Sequence, residues 1–150
     1  MNSFAPVEVL IVEDNPQDAE LAVRALRKSN IAANFQIAED GEEALDFIFS
    51  TGRFSGNGHA NNLKVIFLDL KLPKVGGLEV LKTVKSNEST RTIPVVVVTS
   101  SREEPDIQAA YALGANSYVV KPVDFESFMK TIGMTGQYWL SSNIPPRPAL

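Results

Sequence analysis

Several residues capable of chemistry stand directly after short apolar runs in this chain. They are the carboxylates Glu13, Asp14 and Asp69, the hydroxyl-rich stretch Thr99-Ser100-Ser101, and Lys121. If each run is a strand, these residues share the carboxyl edge of one sheet, where open parallel sheets bind ligands. Two unit charges 4 Å apart repel by about 4 kcal/mol at an effective dielectric of 20, so three converging carboxylates imply a cation. Oxygen ligands without His or Cys, with room for water and a phosphate oxygen, suit Mg²⁺. Beside such an ion Asp69 can attack phosphorus and become an acyl phosphate. Lys121 would then neutralise one phosphoryl oxygen, and the Thr99 hydroxyl would hydrogen-bond another. Each residue also has a plainer reading. Asp69 could serve a turn, Asp14 or Asn15 a helix cap, Thr99 a cap, and Lys121 a solvated surface. Their joint occurrence at four strand ends favours the chemical reading.

The elements that must position them follow from hydrophobic patterning. Val7 to Val12, Asn34 to Ala38, Val65 to Leu68, Val95 to Val98 and Ser117 to Val120 read as five strands. The third and fourth are apolar without alternation, as in a parallel sheet covered on both faces. Helical spacing marks Pro16 to Lys28, Asp40 to Phe49, Leu78 to Val84, Pro105 to Leu113 (stopped by Gly114) and Asp124 to Leu140. Gly133 and Gly136 should weaken the end of the last helix by about 1 kcal/mol each relative to alanine. The order βαβαβαβαβα with right-handed crossovers gives a three-layer α/β sandwich. Thr51 to Asn62 reads as a long surface loop and Ser141 to Leu150 as a non-helical extension. His59, the one histidine, has no second ligand near it in sequence and reads as structural.

Composition sets outer limits. The 150 residues are 44% hydrophobic and 21% charged, enough for one domain and too few for two. Fourteen basic residues against 18 acidic ones, a net charge of -4, give no electrostatic reason to expect nucleic acid or acidic membranes as partners. Zero cysteines exclude disulfides and thiolate chemistry. No leader pattern or membrane-length apolar run is present, so the expected location is the cytoplasm.

These residues resemble the response-regulator receiver domain of two-component signalling. The resemblance rests on LIVEDN (Leu10 to Asn15), IFLDLKLPKVGG (Ile66 to Gly77), VVVVTSS (Val95 to Ser101), the Ala110 to Tyr118 segment and VKP (Val120 to Pro122). The intervals of 30 residues from Asp69 to Thr99 and 22 from Thr99 to Lys121 look typical of the family, and the 51–62 loop explains the longer interval of 55 from Asp14 to Asp69. The resemblance implies a flavodoxin-like (βα)5 fold with strand order 2-1-3-4-5. It also implies transfer of a phosphoryl group from a histidine-kinase phosphohistidine to Asp69. By the same resemblance, Asp14, Asp69 and the Lys71 carbonyl hold Mg²⁺, with Glu13 acting through water. Thr99 and Tyr118 match the switch pair, Lys121 contacts phosphate, and the Lys121–Pro122 bond is expected to be cis. Gly76-Gly77 fits the turn after the third strand, where glycine permits positive φ. Lys71, two residues past Asp69, puts a cationic side chain beside the site and is expected to alter the lifetime of the acyl phosphate.

The expected domain plan is a single stand-alone receiver over 1–150, with its core at about 6–135, the 51–62 loop and a C-terminal extension at 137–150. Loop and extension are similar to those of small regulators that partner bacterial and cyanobacterial phytochromes, so the resemblance implies a sensor kinase as partner, with a phytochrome as the expected kind. The face of the fourth helix, fifth strand and fifth helix is the expected output surface, for a homodimer or partner contact, and the Tyr138-Trp139-Leu140 cluster reads as packing. Three rivals are weighed. An aspartyl phosphatase of the haloacid dehalogenase type needs a second acid where Lys71 stands. A nucleotide or flavin carrier needs a phosphate-cradling loop where Glu13 to Asp18 offers three negative charges. A phosphorylation-independent interaction module remains the alternative, separable from the main reading by phosphotransfer assays.

Overall fold

The computed structural model describes residues 6–29, 31–56 and 58–146. Five parallel strands, β1 (Val9–Val12), β2 (Phe35–Ala38), β3 (Val65–Leu68), β4 (Val95–Thr99) and β5 (Ser117–Val120), form one sheet in the order β2-β1-β3-β4-β5. The helices are α1 (Pro16–Lys28), α2 (Gly41–Phe49), α3 (Gly77–Ser86), α4 (Glu104–Ala112) and α5 (Phe125–Gln137). This is the flavodoxin-like arrangement expected from the sequence.

Alternation along the strands builds two cores. Leu10, Val12, Ile66, Leu68, Val95 and Val97 pack with Ala44, Phe47 and Ile48 of α2 and Val80, Leu81 and Val84 of α3. The intervening residues Val9, Ile11, Val65, Phe67, Val96 and Val98 pack with Ala22, Ala25 and Leu26 of α1 and Phe128 and Ile132 of α5. The three central strands are therefore buried throughout, which fixes their carboxyl ends and the side chains that follow.

The helix boundaries correct the periodicity in instructive places. α5 stops at Gln137 and gives way to a wide helical turn over Tyr138–Ser142, while residues 143–146 are non-helical and the rest of the tail lies outside the described residues. Gly133 and Gly136 are contact points. A Cβ on Gly136 would lie 2.0 Å from Leu26 Cδ2, and one on Gly133 2.4 Å from Ser29 Oγ. Their helix-propensity cost is accepted so that α5 can approach α1. Trp139 and Leu140 pack on the α1/α5 core while Tyr138 stays half exposed. The 51–62 loop contains two single 3-10 turns, Gly52–Phe54 and His59–Asn62. His59 stacks on Phe47 of α2 at 4.5 Å, with its Nε2 3.1 Å from the Phe54 carbonyl oxygen, so it anchors this loop.

Among the described residues no helix is long and apolar enough to cross a membrane.

Candidate functional site

Register carries the chemistry to one edge. Val12 pairs with Leu68, and Leu68 with Val97, so the residues leaving β1 and β3 emerge side by side. One carboxylate oxygen from each of Glu13, Asp14 and Asp69 lies within 4.8 Å of the others. Glu13 and Asp69 are buried, whereas Asp14 is exposed.

The local sequence divides structural from chemical duty. Asn15 is the N-cap of α1, its Oδ1 accepting from the N–H groups of Gln17 at 2.9 Å and Asp18 at 3.2 Å. Pro16 follows at the first helical position, where its missing N–H costs nothing. The cap thus falls on Asn15 and leaves the Asp14 carboxylate free for the acidic cluster. Asp69 serves the turn and also faces the acidic cluster. Its Oδ1 accepts from the Lys71 N–H at 3.3 Å as a turn residue would, and its Oδ2 faces the lysine that follows β5.

That lysine is the centre of the site. Lys121 Nζ donates to Glu13 Oε1 at 2.6 Å, Asp18 Oδ2 at 2.9 Å and Asp69 Oδ2 at 3.0 Å. Burial, the largest influence on it, disfavours the ammonium; its hydrogen bonds to Glu13 and Asp18 and the Asp69 charge outweigh it and hold the group above its ordinary range. Glu13 is pushed up to about 7. Burial is the main cause and the Asp69 charge acts with it, against the hydrogen bond from Lys121. The Lys121–Pro122 bond is trans, which corrects the cis expectation. Trans is the lower-energy isomer of most X–Pro bonds, by about 0.5–1 kcal/mol, and Lys121 reaches all three carboxylates with it.

Thr99 is fully buried at the end of β4, its Oγ1 3.5 Å from the Ser101 N–H. Tyr118, half-buried on β5, donates its hydroxyl to the Ser101 carbonyl at 3.0 Å. Both residues of the expected switch pair therefore meet at Ser101. The Ser101 hydroxyl donates to Asp106 of α4 and accepts from the Glu103 N–H at 3.2 Å. The Lys71 side chain is exposed and makes no ion pair among the described residues.

Gly77 also departs from expectation. Positive φ in this turn falls on Lys74 at 65°, while Gly76 sits at −69°. What Gly77 supplies is space: a Cβ there would lie 2.3 Å from the Asp69 carbonyl oxygen.

Two parts of the site escaped the sequence reading. Asp18 appeared only as a negative charge in EDNPQD, although its position three residues after the Asn15 cap aims it back along the helix end toward β5. Ser101 appeared only in a hydroxyl run, and the Asp five residues later was the available signal of a loop-to-helix tie.

The donor set fits a hard divalent ion. Three convergent carboxylates supply oxygen only, and exposure of Asp14 leaves water a place in the coordination shell. Fold and site together define a phosphoryl-acceptor receiver, and comparison with known proteins agrees. Residues 9–133 match the family model described as the response regulator receiver domain. The probable methanogenesis regulatory protein FilR2 of Methanothrix harundinacea is 39% identical over 144 residues, covering 96% of this chain and 90% of FilR2. Response regulator Rcp1 of Synechocystis sp. is 35% identical over 140 residues, 93% of each chain. The structure of Rcp1 in its Mn²⁺-bound form superposes with a TM-score of 0.86 at 34% identity, over 94% of this chain and 99% of that one. The phosphorylated cyanobacterial phytochrome response regulator RcpA gives a TM-score of 0.87 at 33% identity, over 95% and 99%. The chain belongs to the response-regulator receiver family.

Proposed function

We propose that this protein accepts a phosphoryl group on Asp69 from the phosphohistidine of a sensor kinase, with Mg²⁺ as the required ion. The observation that carries the reading is the convergence of Glu13, Asp14 and Asp69 on one spot, with the Lys121 ammonium 3.0 Å from Asp69. Asp14, Asp69 and the Lys71 carbonyl would hold the ion, with Glu13 acting through water. A bound ion would supply positive charge that offsets the charge of the acceptor and phosphoryl oxygens.

The step itself is a displacement at phosphorus. A carboxylate oxygen of Asp69 forms the new O–P bond, the N–P bond of the phosphohistidine breaks, and the imidazole leaves with its electron pair. Lys121 neutralises one phosphoryl oxygen and the buried Thr99 hydroxyl donates to another. The protein's part is positioning and charge, so it acts as a signalling acceptor rather than a turnover enzyme. Output would pass from Thr99 through Ser101 to Tyr118 and α4, reshaping the α4–β5–α5 face for a partner or a second copy.

The chain is read as one receiver domain working in the cytoplasm. Similarity to RcpA, a cyanobacterial phytochrome response regulator, supports a phytochrome-type kinase as the donor. Incubation with phosphorylated kinases from the same genome tests this. Transfer to wild type, none to Asp69→Asn, and none after chelation of Mg²⁺ is the expected pattern. A phosphorylation-independent module would behave alike in all three conditions.

A further inference from the structure

We infer that Asp18 is a positioning residue for phosphoryl uptake, the partner that Lys121 releases when a phosphoryl group arrives; this rests on the reading of Asp69 as acceptor. An ammonium has three N–H donors. In Lys121 all three are occupied, by Glu13, Asp18 and Asp69. The lysine therefore cannot donate to a phosphoryl oxygen until it gives up a carboxylate.

Exposure decides which one. The Glu13 side chain is 8% exposed and Asp69 9%, and Asp69 is tethered beside the incoming group. Until the O–P bond forms, either would lose its partner without water to replace it, which is costly for a buried charge. Asp18 is 31% exposed and can be rehydrated when Lys121 turns away. Its place in the first turn of α1, where the helix dipole favours negative charge, also makes it the carboxylate that tolerates release.

Two consequences follow. Asp18 competes with the phosphoryl group for Lys121, so it sets how tightly the phosphorylated state is held. Phosphorylation also frees one negative charge on α1, so occupancy of the site is signalled on that helix as well as on α4 and β5.

Beryllofluoride, an analogue of the phosphoryl group, tests this in the presence of saturating Mg²⁺. Its affinity is measured on wild type, Asp18→Ala, Asp18→Asn, Lys121→Ala and the Asp18→Ala/Lys121→Ala double variant. Glu20→Ala, an exposed change on the same helix, is the control. Asp18→Ala should bind about fivefold more tightly, the upper end for a partly exposed ion pair. Asp18→Asn should shift the same way by less, and Glu20→Ala should match wild type. In the Lys121→Ala background the Asp18 change should have no effect, which a merely structural role would not produce. Unchanged or weaker binding by Asp18→Ala, or an equal gain without Lys121, overturns the inference while leaving Asp69 as acceptor. No binding by wild type overturns the acceptor reading and this inference with it.

Discussion

The Tyr118 hydroxyl donates to the carbonyl of Ser101 across 3.0 Å, tying β5 to the loop between β4 and α4. The same Ser101 holds Asp106 through its side chain, so one residue joins the β5 aromatic, the Thr99 strand end and the start of α4. Tyr118→Phe removes the tie and little packing. Global stability should fall by about 1 kcal/mol or less. Amide exchange at Ser101 to Glu103 should accelerate several-fold, as read by hydrogen–deuterium exchange. Unchanged exchange there would mean that the hydroxyl does not restrain the loop.

Gly77 lies against the acceptor's own backbone. Gly77→Ala places a methyl 2.3 Å from the Asp69 carbonyl oxygen, which must move or be displaced. Urea denaturation should show a loss of about 1–3 kcal/mol, the range for overpacking. Phosphoryl uptake should fall along with it, because the shifted atoms belong to Asp69. A Gly76→Ala control, with open space around its Cβ, should keep uptake. Equal behaviour of the two variants would contradict the packing argument.

Glu13 makes stability depend on pH. Its folded value near 7 lies above the ordinary carboxyl value of 4.5, because burial penalises the charged form. Between those values the folded chain binds more protons than the unfolded one. The contribution of Glu13 is therefore full below about pH 4.5 and is lost as pH rises through about 7. Metal-free wild type should lose stability from about pH 5 to about pH 8 more steeply than Glu13→Gln, measured by urea titration at each pH. Parallel profiles would place the titration elsewhere.

Lys71 is exposed and free of ion pairs among the described residues, two positions beyond the acceptor. Lys71→Ala should leave the melting temperature unchanged within a degree or so, as expected of a surface substitution. It should change the dephosphorylation rate of the acyl phosphate, followed by loss of label from purified phosphoprotein. An unchanged rate removes the idea that this cation guards the site.

The architecture was legible because β3 and β4 are buried on both faces and so read as unbroken apolar runs. The acceptor cluster was legible because chemistry at a sheet edge needs particular residue types at strand ends. What stayed hidden depends on distances between elements that are remote in sequence. Asp18 gains its meaning only when α1 meets β5, and Gly136 only when α5 meets α1 at Leu26. The need for Gly77 was assigned to backbone conformation because sequence cannot distinguish a positive φ from a missing Cβ. Asn15 and Asp14 were interchangeable as caps until the helix start chose between them.

The most direct test of the account is the site of covalent phosphorylation. The protein is incubated with a phosphodonor and Mg²⁺, the acyl phosphate is trapped by borohydride reduction, and the modified peptide is sequenced by mass spectrometry. The label should fall on Asp69, and Asp69→Asn should take up none. A label on another residue, or equal uptake by Asp69→Asn, would contradict the central claim.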